Sequence, residues 1–142
     1  MTAAAAATGP MTGAELVWLE AIESLLTNIQ NAVGGLPCCK TVAEMRALED
    51  QMRGCGRELA RLGSPTDRLQ PVNVLVQQAC AKYDKAAECF ATAATIGTPV
   101  AGTDGERTFN EALDCGFSAP NEGSSLLADA VAKGFQIKDA AR

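Results

Sequence analysis

Three times in this chain a Thr-x-x-Glu tetrapeptide stands directly ahead of a run with helical apolar spacing: Thr12 to Glu15, Thr41 to Glu44 and Thr103 to Glu106. In such a capping box the threonine hydroxyl accepts from the backbone N–H three residues on. The glutamate reaches back to a donor at the helix start, so two orphan N–H groups are satisfied together. Each box therefore sets where a helix begins.

The apolar seams agree. Behind the first box, Trp18, Ile22, Leu25, Ile29 and Ala32 share one face, flanked by Leu19, Leu26 and Val33, and Gly34-Gly35 predict its end. Behind the second, Met45, Leu48, Met52, Cys55, Leu59 and Leu62 alternate steps of three and four without a break, and Gly63 follows. A third helix starts near Pro71, a residue suited to a first helical turn, with Val72, Val76, Ala79, Tyr83, Ala86, Phe90 and Ala94 inward. The last box predicts a helix carrying Phe109, Leu113 and Phe117 inward, broken at Ser118-Ala119-Pro120 because proline removes a helical donor. It resumes from Ser124 to Lys133 with Leu126, Leu127, Ala130 and Val131 inward, and Gly134 is its stop.

The expected fold is thus all-α: an antiparallel four-helix bundle with the fourth helix broken in two. Residues 12–134 form a single domain, between a disordered low-complexity arm (1–11) and a frayed tail (135–142). Composition supports this: alanine supplies 26 of 142 residues and aromatics only 4%, against the β-branched and aromatic bias of sheets.

Composition also removes whole classes of function. The chain has no histidine. His-based acid–base chemistry, Ser/Cys–His dyads, and His-ligated zinc, haem and di-iron sites are therefore excluded. A net charge of −5 lacks the basic footprint of nucleic-acid binding. No apolar run approaches the roughly 18 residues of a membrane-spanning helix.

Six cysteines point to disulfides and an oxidising compartment, although residues 1–10 lack the basic start and long apolar run of a signal peptide, consistent with a removed leader. No Cys-x-x-Cys occurs. Cys80 and Cys89 lie nine residues apart on one helix. At about 100° per residue they face opposite ways and must meet different neighbours. In antiparallel register Cys55, nine residues before Ser64, stands level with Cys80, nine residues after Pro71. Cys89 and Cys115 match more loosely across the next turn. The assignment is Cys55–Cys80 and Cys89–Cys115; the competing reading makes all four small buried hydrophobes of a reduced protein. Cys38 and Cys39 remain, and neighbours in sequence seldom bond to each other. They are left to bond between chains, stay free, compete for one of the cysteines paired above, or bind a soft metal such as Cu(I), with Met45 a conceivable thioether donor although it reads as core.

Arg53, Arg57 and Arg61 form a stripe that could grip an anion, but Glu44, Glu49, Asp50 and Glu58 share the helix, and a solvated, ion-paired face is the simpler reading. Glu15, Glu20 and Glu23 have no basic partner on their own helix.

The run from Arg57 to Pro65, with Gln77-Gln78-Ala79-Cys80 and Ala87 to Ala94, resembles uncharacterised secreted or lipoprotein-type helical proteins of high-GC actinobacteria. The resemblance spans roughly 15–135, with Cys55, Cys80, Cys89 and Cys115 as its cysteine pattern. It implies an extracytoplasmic setting and no activity. The functional expectation is a non-enzymatic extracytoplasmic module without a cofactor, binding a partner protein, an envelope component or a small apolar ligand. The alternative is a thiol-based Cu(I)-handling or redox protein using Cys38 and Cys39.

Overall fold

Each of the Thr-x-x-Glu boxes caps a helix in the computed structural model, which describes residues 9–35 and 38–141. The helices are α1 (Gly13–Gly35), α2 (Val42–Leu62), α3 (Gln70–Ile96) and α4 (Asp104–Ala140), with one 3-10 turn at Asp67–Leu69 and no strand among the described residues. The first box is reciprocal: Thr12 Oγ1 accepts from Glu15 N at 3.1 Å, and Glu15 Oε1 accepts from Thr12 N at 2.9 Å. In the other two the threonine accepts likewise, but the glutamate reaches one residue further upstream. Glu44 accepts from Lys40 N and Glu106 from Gly102 N. Gly63 and Gly97 close α2 and α3 with φ of 73° and 74°, where a side chain would be strained.

The seams fall inward. Trp18, Ile22, Leu25 and Ile29 of α1, and Met45, Leu48, Met52 and Cys55 of α2, are buried. The side chains of Ala32 and Val33, the loop residue Pro37, and the expected arm through residue 8 lie outside the described residues. So does Arg142. In α3 the expected stripe is buried, together with Asn73, Cys80, Ala87 and Ala93. This helix is covered on two sides, by α2 and α4, whereas α1 lies against α2 and α4. Neighbouring contacts run in opposite senses. Along α2, Cys55 meets Cys80 while Val42 reaches Gly97. Along α3, Tyr83 meets Ser124 while Phe90 meets Phe117.

The fourth helix corrects the sequence reading. It runs unbroken from Asp104 to Ala140 with Pro120 inside it. An interior proline costs about 3 kcal/mol, but here both arms are fastened to α3. Cys115 bonds to Cys89 on one side of the proline, and Ser124 and Glu122 meet Tyr83 and Lys82 on the other. Gly134, expected as the stop, is mid-helix, and residues 135–140 remain helical instead of fraying.

Leu127 and Ala130 are buried as expected, but the inward face of the first half of α4 is not the one expected. Phe117 is 51% exposed and Phe109 and Leu113 are only half-buried. The buried seam is Ala112, Gly116, Ala119, Gly123, Leu127, Ala130 and Gly134, again in steps of three and four. Its glycines are seats for larger side chains. A Cβ on Gly116 would stand 2.7 Å from the Phe90 ring, one on Gly123 2.9 Å from Tyr83, and one on Gly134 2.9 Å from Leu19. Large residues on α1 and α3 pack into small ones on α4, which lets the helices approach closely.

Candidate functional site

The structure brings Cys55 to Cys80 and Cys89 to Cys115, with Cα separations of 5.2 and 5.9 Å, inside the roughly 4.4–6.8 Å that a disulfide spans. Cys55 and Cys80 are buried in the core, while Cys89 and Cys115 are half-buried at the α3/α4 edge. Cys38 and Cys39 depart from expectation: they are bonded to each other. The peptide between them is cis, with Cα atoms 3.1 Å apart. Both pack half-buried on the core, and Cys39 also touches the small cluster of Met45, Ala93, Ala94 and Ala112. Met45 is fully buried, as a core residue. No three Cys, Asp or Glu side chains converge as a metal site among the described residues.

The arginine stripe is an ion-paired face. Arg53 pairs with Glu49, Arg57 with Asp50 and Arg61 with Glu58. The hydrogen bond from Arg46 leads in lowering the Glu49 carboxyl, and that from Arg61 lowers Glu58.

Glu15 has the partner that its own helix lacks. Arg68, from the 3-10 turn before α3, donates to it from Nε at 2.8 Å and from Nη2 at 2.5 Å. Thr66 Oγ1 also donates to the carboxylate. The guanidinium further donates to the carbonyls of Gly9 and Pro10. Hydrogen bonding from Arg68 outweighs burial and holds the Glu15 carboxyl far below the usual carboxylate range. Nearby, Trp18 Nε1 donates to Gly63 O at 3.2 Å. The N-terminal end of α1 is thus moored to the α2–α3 connection by part-buried polar contacts between residues about 50 positions apart, which helical periodicity does not reveal.

The remaining feature is a groove of about 270 Å³ between α1 and α4. Its floor is Leu16, Leu19, Ile22, Ala130, Val131 and Gly134. Gly134 admits the Leu19 side chain, so the two backbones converge beneath the groove. Half-exposed Phe135 stands at its edge. Glu20 and Glu23 line the α1 side and Lys138 the α4 side, none of them ion-paired among the described residues. The sequence reading missed this groove because it ended α4 at Gly134. The apolar residues Phe135 and Ile137 beyond that glycine were the available signal.

Comparison with protein-family models, with curated proteins and with solved structures gives no match for this chain.

Proposed function

We propose that the chain is a non-enzymatic, extracytoplasmic binding module, a disulfide-stapled antiparallel helical bundle that holds a small amphipathic ligand in the α1/α4 groove. The observation that carries this reading is the pairing of an apolar floor with charges of opposite sign on facing rims, none of them ion-paired among the described residues. Its volume lies just below the roughly 300–1,000 Å³ of drug-sized ligand sites, which suits a small ligand. Carboxylates on one rim and an ammonium on the other complement a zwitterionic head group. Cysteines placed in pairs, and the lack of any helix long and apolar enough to cross a membrane among the described residues, are compatible with an extracytoplasmic setting.

The test is titration of the protein with monomeric dodecylphosphocholine, followed by backbone amide shifts. Saturable shifts should concentrate at Leu16, Leu19, Val131 and Phe135. They should vanish in Val131→Trp, which fills the groove from its half-buried wall. Non-saturating shifts, or shifts that survive Val131→Trp, would refute the groove as a site.

A further inference from the structure

Of the bonded cysteine pairs, only Cys38–Cys39 joins no two helices. Its partners are one residue apart, so it closes no loop of the unfolded chain and contributes none of the entropic stabilisation of a long-range staple. The other two span 25 and 26 residues. The fold therefore does not need the 38–39 bond, and its two sulfurs are available for chemistry.

Their surroundings define that chemistry. Cys38 lines a small cavity of about 50 Å³ with Met52, Leu48, Phe90, Phe117 and Pro120. The cavity is lined by the disulfide-bonded Cys38, the Met52 thioether, apolar groups and Asn121, and Cys39 is the next residue along the chain. Cys38 and Cys39 lie just ahead of the Thr41 cap of α2. Histidine is lacking altogether, and no third cysteine or carboxylate converges here among the described residues. A donor set of two thiolates and one thioether suits a soft, low-coordinate ion and not zinc, which takes four donors.

We propose that Cys38 and Cys39, once reduced, bind one Cu(I) ion together with the thioether of Met52. This site is separate from the α1/α4 groove. Two equivalents of a low-molecular-weight thiol reduce the 38–39 disulfide; the reductant leaves as its own disulfide, and Cys38 and Cys39 become thiols. Each thiol then loses its proton to solvent as Cu(I) binds, leaving a bis-thiolate complex with one net negative charge and the neutral Met52 sulfur as third donor. Met52 is the third ligand because it shares the Cys38 cavity; Met45 belongs to the separate small cluster that Cys39 touches. Oxidation of the pair abolishes the site, so loading is gated by the thiol state of this loop.

The experiment uses the full chain under anaerobic conditions. Mild treatment with glutathione should expose two thiols per chain, both mapped by alkylation to Cys38 and Cys39, with the other four cysteines still paired. Cu(I) presented as its bicinchoninate complex should then transfer to the protein at one equivalent. Cys38→Ser/Cys39→Ser should lower the Cu(I) affinity by at least about 100-fold, and Met52→Leu by about tenfold, the scale on which even outer-shell partners of metal sites act. Met52→Leu nearly conserves volume, and its far-ultraviolet dichroism before titration establishes that it is folded. The proposal is overturned if the 38–39 bond resists reduction until the other two open, or if copper stays with the chelator. Equal Cu(I) affinity in Met52→Leu, or tighter binding of Zn(II) than of Cu(I), overturns it as well.

Discussion

The Arg68 guanidinium lies 2.5 Å from Glu15 Oε1, with both side chains almost wholly buried, 6% and 3% exposed. This contact joins the first turn of α1 to the turn that starts α3, and it carries Gly9 and Pro10 along through their carbonyls. Burying two charges is costly, so the pair stabilises the fold only while it is whole. Arg68→Met leaves Glu15 without its counter-charge and should lower the stability of the fold measurably. The double variant Glu15→Leu/Arg68→Met should recover part of that loss. A urea titration of the three proteins measures both steps, and a double variant weaker than Arg68→Met alone would contradict the argument.

The same pair sets an acid dependence. The Glu15 carboxyl is depressed in the fold, chiefly by its hydrogen bond from Arg68. Its contribution is therefore fully present above the unfolded-state pKa near about 4.3 and is lost progressively as pH falls below it. Melting temperature should drop between pH 5 and pH 3 by the usual carboxylate effects plus this one (pH values about the carboxylate range). Glu15→Gln should show a smaller drop over that window, and a slope equal to the unsubstituted chain would exclude the linkage.

Small residues on α4 should resist enlargement. An alanine usually improves a helix over glycine by about 1 kcal/mol. At Gly116, however, the added carbon would meet the Phe90 ring at 2.7 Å, and overpacking of this kind costs about 1–3 kcal/mol. Gly116→Ala should therefore destabilise. Gly105→Ala, in the first turn of the same helix, meets only Thr103 Oγ1 at an ordinary 3.6 Å and should stabilise by up to about 1 kcal/mol. Thermal melts of the pair test the sign at each position.

The disulfides divide by the loop each closes. Cys55→Ala/Cys80→Ala should cost about 3 kcal/mol for its loop of 25 residues. Cys38→Ser/Cys39→Ser should cost far less, since its partners are adjacent. Chemical denaturation in oxidised buffer separates the two. An unchanged melting temperature of the native chain in excess reductant would remove the staples altogether, and the extracytoplasmic reading with them.

Helix starts were legible in the sequence because capping is local chemistry: Thr12, Thr41 and Thr103 each decide their own turn. The meeting of Cys55 with Cys80 was legible because short connections put equal distances from a turn at equal heights. The fourth helix was not. Periodicity rules look for large apolar residues, so Phe109, Leu113 and Phe117 drew attention from the glycines and alanines that actually face inward. Gly134 reads as a cap in isolation, and only the Leu19 side chain lying against it explains why it is there. Pro120 likewise reads as a break until the contacts that hold both sides of it to α3 are known. The groove and the Glu15–Arg68 pair depend on residues far apart in the chain, to which no local rule refers.

The helices of the bundle should open in a fixed order. The long-range disulfides tie α2 to α3 and α3 to α4, and none reaches α1. What holds α1 is its seam of Trp18, Ile22, Leu25 and Ile29, each worth about 1.5–3 kcal/mol when fully buried. With no disulfide to a neighbouring helix, α1 should be the first helix to open. The opening should also be uneven. Glu15 and Trp18 tie its N-terminal end to Arg68 and Gly63, whereas no such contact is found near Ile29 among the described residues. Native-state hydrogen exchange should therefore show amides around Leu25–Ile29 less protected than those around Leu19, and both less than those around Cys80 and Cys89. At pH near 3, where Glu15 begins to lose its charge-dependent hold, the difference between the two ends of α1 should shrink after correction for intrinsic exchange. Equal protection across all helices would refute the ordering, and a gradient running the other way along α1 would show that the Glu15–Arg68 mooring does not govern it.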